Sequence, residues 1–410
     1  MLTKLPDILR GTFAALKHPN FRLWFVGQLT SLVGTWMQTT AQGYLIYDLT
    51  HSPAYLGYVG FAAGIPIFVL TLYGGVIADR VPRRTLLIIT QTYMMLLAAI
   101  LAALVFTGLV QPWHIIVLAF LSGIGNSFDA PARQSFVVEL VGHDDLPNAI
   151  ALNASMFTTA NAVGPAVAGI TYAAFGPGWC FTINGISFLA VILALSLMSI
   201  KPIVYDTIHK SAVHAMLEAL HFTYKKRSII LLMASVFMVG MFGMSLASLM
   251  PVWAVDILKG DVTTNGWLLS ARGLGSLMGA LTVAAFSART VRGKLWTAGS
   301  LLLPGLMLIF SFMRILPISL AVTVLVGWAF MTIVNTSNAL VQLRVTDALR
   351  GRVMGLYSLV FMGAMPLGTL ILAWLADQVS APFAVWVASG VLACYFFFIW
   401  FRFPEVRKLE

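Results

Sequence analysis

The chain has 410 residues, 59% of them hydrophobic and 10% charged, with a mean hydropathy of +0.90 and a formal net charge of +10. A water-soluble domain needs far more charge to cover its surface, so this surface must largely face lipid. The positive balance is not a nucleic-acid footprint: no stretch joins a dense basic patch to a polar fold able to present it. Cys180 and Cys394 can form neither a disulfide framework nor a metal site, and no metal or cofactor is expected.

Residues 1–19 hold Lys4, Arg10 and Lys17 without an apolar core, so they do not read as a signal peptide. Leu5, Ile8, Leu9, Phe13 and Leu16 instead form an amphipathic stripe suited to the inner membrane surface. A bilayer is crossed by about 20 apolar residues in a helix. That length predicts twelve spans, at 21–48, 53–78, 84–107, 113–139, 147–173, 179–200, 228–257, 264–288, 294–313, 317–343, 353–377 and 381–402. The expected class is an all-α membrane protein. All but four of the 25 lysines and arginines fall at the termini, in the even-numbered turns or in the central loop. The exceptions are Lys259 and Arg314 on the opposite side, and Arg133 and Arg272 within spans. This asymmetry predicts that both termini are cytoplasmic.

Span 1 carries Gln28, Ser31, Thr35, Gln38 and Gln42 at helical spacing, which puts them on one face. Span 4 does the same with Ser122, Asn126, Asp129 and Arg133, and span 10 with Thr332, Asn335, Asn338 and Gln342. A polar face in hydrocarbon needs water, ligand or another helix. A single such stripe is explained by helix–helix hydrogen bonding, worth about 0.6 to 2 kcal/mol per contact. Asp129 and Arg133 are four apart and can pair, either permanently or as a proton-binding carboxylate whose partner changes during transport. Asp48 and Asp256 read as solvated caps near outer span ends, and Glu139 marks the inner end of span 4.

Between spans 2 and 3 runs Gly74-Gly75-Val76-Ile77-Ala78-Asp79-Arg80-Val81-Pro82-Arg83-Arg84. This G-x-x-x-A-D-R-x-x-R-R pattern resembles the loop between helices 2 and 3 of the major facilitator superfamily, with Pro82 where the family usually has Gly. The resemblance implies Gly75 for close helix contact. It also implies two six-helix bundles around a cavity lined by spans 1, 4, 7 and 10, and a latch in which Asp79, helped by Arg80, Arg83 and Arg84, meets the N-terminal end of span 11. Three polar stripes in spans 1, 4 and 10 then favour an aqueous cavity. In span 5, residues Ala160 to Gly169, with Gly164, Pro165 and Gly169, partially match the G-x-x-x-G-P-x-x-G-G motif of superfamily exporters. The run from Asp129 through Pro147 to Gly164-Pro165 resembles the branch of macrolide, tetracycline and siderophore exporters, a likeness strongest over residues 20–175. As a packing kink, the same span 5 motif needs no direction of transport.

The expected organisation is an N-terminal bundle at 1–200, a linker at 201–227 and a C-terminal bundle at 228–410. In the linker Val213, Met216, Leu217, Leu220 and Tyr224 share a helical face, suggesting a tether lying along the membrane. The halves echo each other weakly. Asn126-Ser127-Phe128-Asp129-Ala130 corresponds to Asn335-Thr336-Ser337-Asn338-Ala339, and Gly164-Pro165 to Met365-Pro366. The basic loop has a degraded partner at residues 289–294. Span 7 presents Met238, Met241, Phe242 and Met244, a soft wall that could also be simple packing. Arg272 in span 8 is a candidate cavity residue, a headgroup contact or a snorkelling side chain.

The expected function is export of a small amphipathic or lipophilic organic molecule by alternating access, with proton antiport, in the plasma membrane and as a monomer. The alternative is an uncoupled lysophospholipid or lipid transporter. The sequence holds no nucleophile–base constellation or nucleotide loop for an enzyme, and no filter or charge ring for a channel.

Overall fold

A computed structural model describes residues 13–199, 212–286 and 291–405. Among these no strand occurs, and the long helices follow the predicted spans closely. In the N-terminal half they are α1 (Pro19–Thr50), α2 (Pro53–Ala78), α3 (Arg83–Phe106), α4 (Pro112–Leu140), α5 (Leu146–Phe175) and α6 (Pro177–Leu197). In the C-terminal half they are α7 (Arg227–Ile257), α8 (Val262–Ala285), α9 (Arg292–Phe312), α10 (Leu316–Arg344), α11 (Asp347–Gln378) and α12 (Ala381–Arg402). By length and composition ten of these are apolar enough to cross a membrane. The other two, α1 and α5, have 32 and 30 residues and are long enough. Polar residues such as Gln28, Gln38 and Gln42 dilute the hydropathy of α1, and Asn148, Asn153 and Asn161 that of α5.

Proline explains several helix starts. Pro19, Pro53, Pro112, Pro147 and Pro177 occupy the first or second helical position, where a missing N–H costs nothing. Where the chain must leave a helix sharply, backbone in the left-handed region does so, at His51 (φ 48°) and Gly176 (φ 86°). Helix α7 is the irregular one. After a regular first part it passes through π geometry at Val239–Met244, 3-10 geometry at Ser245–Leu249 and π geometry again at Trp253–Ile257. Gly240, Gly243 and Pro251 weaken the regular ladder there.

The internal repeat is visible in the packing. In the N-terminal half α1 packs on α5, α2 on α4, α3 on α4 and α3 on α6. Shifted by six helices, the same pairs recur as α7 on α11, α8 on α10, α9 on α10 and α9 on α12. The halves join through α2 against α11 and α5 against α8, two contacts that exchange under the same operation.

The two ends of the molecule differ. At the end away from the termini, one buried core runs from Leu45, Ile46 and Phe181 of the N-terminal half into Leu249, Trp253 and Leu372 of the other. At the end carrying the termini, the N-terminal half has its own separate core around Trp24, Leu87, Phe136 and Met156. Among the described residues the halves therefore share one buried core at one end and have separate cores at the other.

The expected amphipathic stripe at the N-terminus lies mostly outside the described residues. Its described part is a 3-10 turn at Ala14–Lys17. This turn is fixed to the start of α5: Asp145 accepts from Lys17 Nζ (2.7 Å) and His18 Nε2 (2.8 Å), and Ala15 N donates to Asn148 Oδ1 (2.9 Å). The linker forms a helix at Ala212–Lys225 packed on α11, with Glu218 paired to Arg352. Ala219 and Thr223 face the bundle while Leu220 and Tyr224 are exposed; the side chains of Val213, Met216 and Leu217, the rest of the expected face, lie outside the described residues. Of the degraded basic loop, residues 287–290 lie outside the described residues.

Candidate functional site

The polar stripes become several distinct environments. On α1, Gln28 and Ser31 are buried, and Gln28 Oε1 has no hydrogen-bond partner among the described residues. Thr35 Oγ1 donates to its own helix at Ser31 O (2.9 Å). Gln38 Oε1 accepts from Asn184 Nδ2 of α6 at 2.7 Å, which is helix–helix bonding of the ordinary kind. Gln42 is half-buried. On α10, Thr332 Oγ1 bonds back to Trp328 O (2.7 Å), Asn338 Oδ1 accepts from Gln342 Nε2 (2.6 Å), and Asn335 is half-buried with no bond among the described residues. Asn126 of α4 bonds back to Ser122 O at 3.0 Å. Of the stripe residues on α1 and α10, Gln42 and Asn335 are half-buried with no side-chain bond among the described residues.

Asp129 is 1% exposed and turned towards α3. Its Oδ1 accepts from Thr90 Oγ1 and Gln91 Nε2, both at 2.8 Å. Its Oδ2 faces Arg133 Nε at 4.0 Å, an ion pair too long to be a hydrogen bond. The sequence shows the i,i+4 spacing of Asp129 and Arg133 but not the α3 donors, because those lie 38 and 39 positions earlier in the chain. The repeat places a neutral counterpart, the Asn338–Gln342 pair, at the matching position of α10.

In the basic loop Asp79 is half exposed and pairs with Arg83 NH2 at 3.6 Å, within its own loop. Arg83 also reaches Glu139 Oε1 of α4 at 2.7 Å, where the carboxylate is only 5% exposed. Arg84 donates to Ser196 O of α6 (2.9 Å), and Arg80 is exposed. These contacts tie α3 to α4 and α6 inside one half. Close helix contact, expected at Gly75, is made by Gly74 instead. A β-carbon on Gly74 would lie 2.0 Å from Ser127 O of α4, whereas Gly75 has open space around it because it points to the other side of α2.

The α5 motif packs on two helices. A β-carbon at Gly164 would lie 2.5 Å from Trp36 Cβ of α1, and one at Gly169 would lie 3.0 Å from Val262 O and from Thr263 Cα of α8. This motif therefore sits in the joint between the halves.

Two carboxylates at the fused end were not legible as site residues. Asp256, expected to be a solvated cap, is exposed and also accepts a hydrogen bond from Tyr47 OH across the halves. Asp377 of α11 accepts from Ser52 Oγ (2.5 Å) and from Ala54 N (3.4 Å), so it caps α2 from the opposite half. The only sequence signal was an acid at the far end of a span.

On the C-terminal wall Met241 and Met244 of α7 are half-buried. Met241 belongs to the close contact with α11, where a β-carbon on Gly368 would lie 1.7 Å from Met241 O. Arg272 of α8 is 4% exposed. Its Nη1 lies 3.2 Å from Met244 Sδ and its guanidinium carbon 5.9 Å from the Phe330 ring centroid.

A family model described as a transmembrane secretion effector matches residues 10–410. The staphyloferrin A transporter of Staphylococcus aureus is 25% identical over 87% of this chain and 89% of its own length. The multidrug efflux pump Tap of Mycolicibacterium fortuitum is 26% identical over 93% and 95%. A crystal structure of a mutant nucleoside transporter NupG superposes with a TM-score of 0.75 at 14% identity, covering 95% of this chain and 99% of that one. The superfamily and the exporter branch expected from the sequence are both borne out. The chain is a membrane transporter of the efflux type and belongs to the transmembrane secretion effector family of the major facilitator superfamily.

Proposed function

We propose that the protein exports a small amphipathic organic molecule by alternating access in exchange for protons. The observation that carries this is the one-ended joint between the halves. They are fused at the end away from the termini, by Tyr47–Asp256, Ser52–Asp377 and the α2–α11 and α5–α8 contacts. At the other end Asp79 is half exposed and, among the described residues, pairs within its own loop. With the termini cytoplasmic, which the distribution of basic residues supports, this arrangement reads as inward-open. The outward-facing arrangement would part the far end and engage Asp79, with Gly75, Arg80 and Arg84, at the start of α11, where the helix dipole is positive.

The substrate class follows from the wall chemistry. In this reading the thioethers of Met241 and Met244 and the neighbouring rings of Phe330 and Phe361 form the apolar wall of the site, with amides at Gln42, Asn126 and Asn335 and few charges. Sugars need many paired hydrogen-bonding groups, and highly charged anions need clustered arginines; neither is provided. Asp129 is the proton carrier in this scheme, loading as its loose contact with Arg133 opens.

The test uses purified protein in liposomes with an acid-inside pH gradient, read by a pH-sensitive dye, against macrolides, tetracyclines, siderophores and lysolipids. Collapse of the gradient by one class, lost in Asp129→Asn, is expected. If the mutant keeps the same pH dependence, Asp129 is a structural partner of Arg133. If the dye does not respond while labelled lysolipid crosses, transport is uncoupled and the cargo is a lipid.

A further inference from the structure

Among the described residues, Arg272 is a full charge buried without a counter-charge. No ion pair among the described residues includes it, and its Nε is buried with no hydrogen-bond partner. Its described neighbours, Met244 Sδ and the Phe330 ring, cannot neutralise it. The aspartates of this half with described side chains are engaged elsewhere: Asp256 by Tyr47, Asp261 by capping α8 at Thr264 N, and Asp377 by Ser52. Truncation, neutralisation or pairing would each relieve such a charge, and a buried guanidinium cannot relieve itself by losing its proton at neutral pH.

The surroundings favour a binding site over a packing fault. The backbone at Arg272 is clamped, since a β-carbon on Gly327 of α10 would lie 2.1 Å from Arg272 O. The charge is therefore aimed by two rigid helices. Asn265 lies seven residues earlier, on the same face and about 10 Å away. It is fully buried, and neither of its amide atoms has a partner among the described residues. Met244, beside the guanidinium, is half-buried on a helix packed against α1, α2, α8, α10, α11 and α12. Its partial burial on a helix that meets both halves supports an opening towards the space between them.

We propose that Arg272 is the anion-recognition residue of the transport site, so that the exported amphiphile carries a carboxylate or phosphate that pairs with this guanidinium between α7, α8 and α10. The inference rests on the export function proposed above and adds the charge of the cargo. A planar fork matches an oxyanion with two N–H donors, and the methionine and aromatic wall takes the apolar body.

The experiment is an equilibrium titration of the full chain in nanodiscs of zwitterionic lipid, read by tryptophan fluorescence. N-lauroylglycine is compared with its uncharged methyl ester, and lysophosphatidylglycerol with lysophosphatidylcholine. The acid should bind about tenfold more tightly than its neutral partner in at least one pair. Arg272→Gln should abolish the difference and Arg272→Lys should keep part of it. Preference in the lauroyl pair alone assigns a free organic acid, and preference in the lysolipid pair alone assigns a lipid headgroup. No preference in the wild type, a comparison that needs no variant, overturns the proposal, as does a preference that survives in Arg272→Gln. Binding is read without transport. A protein that binds the acid but moves nothing across a membrane refutes export and leaves the anion site standing. One that exports neutral amphiphiles without preferring the acid does the reverse.

Discussion

At Gly164 any side chain would bring a β-carbon to 2.5 Å from Trp36 Cβ and 3.0 Å from Val33 O, and the latter is backbone that cannot turn aside. Gly164→Ala is therefore expected to destabilise the N-terminal half by about 1–3 kcal/mol, the usual cost of overpacking. Thermal unfolding in detergent checks this. Gly75→Ala, facing open space, is the matched control and should leave the melting temperature unchanged. The contrast shows where the sequence was legible at this scale. The loop motif identified the loop, but which of two adjacent glycines touches α4 depends on how α2 is rotated. Asp129 makes the same point. Its helical neighbour Arg133 can be read from spacing, whereas Thr90 and Gln91, which hold its Oδ1, become neighbours only when α3 packs on α4.

Single elements carry a second kind of consequence. The 3-10 turn before α1 is tethered through Asp145, whose carboxyl is held below its ordinary 3.8 by hydrogen bonds from Lys17 and then His18. A carboxylate with a depressed folded value contributes stability above its unfolded value and loses it as pH falls through the folded one. The tether is therefore complete at neutral pH and should fail below about pH 3.8. Hydrogen exchange of residues 13–18, corrected for intrinsic rates, should accelerate there by about two- to fivefold, a modest effect because surface pairs are weak. Asp145→Asn should show the faster exchange already at neutral pH and no further acid step. Elements were the most legible scale. Apolar length and proline placed most helix ends within a few residues, although α11 begins at Asp347, six before the expected 353, and Gly240, Gly243 and Pro251 did not by themselves announce that α7 alternates between π and 3-10 geometry. That irregularity follows its fit against α11, where Ser245 Oγ donates to Met365 O at 3.2 Å.

Across the whole molecule, the two cross-half carboxylates make the joint at the far end selective. Tyr47→Phe deletes the hydrogen bond to Asp256 while keeping the ring, and should weaken closure of that end by about 1–2 kcal/mol. The population opened at the far end should rise roughly tenfold. Spin labels at Leu109 and Ile315, exposed in far-end loops of opposite halves, would report it as a longer-distance component, in a background with Cys394 replaced. Asp377→Asn should act in the same direction, and the double variant should exceed either single one because the two bonds share no residue. An unchanged distance distribution in all three would leave these bonds as incidental to closure.

The sequence alone determined the membrane class, the order and length of the spans, the superfamily and the exporter branch. These depend on hydrophobic length, basic loops and short motifs, all written locally along the chain. The tertiary structure decided how the polar faces are used: Gln38 bonds to α6, Asp129 turns to α3, and Arg272 is left with no counter-charge among the described residues. It also decided which carboxylates cross between the halves, since Asp256 meets Tyr47 across 209 positions and Asp377 meets Ser52 across 325. The physical reason is that helical periodicity fixes which residues share a face, while only the packing of the bundle fixes what that face meets.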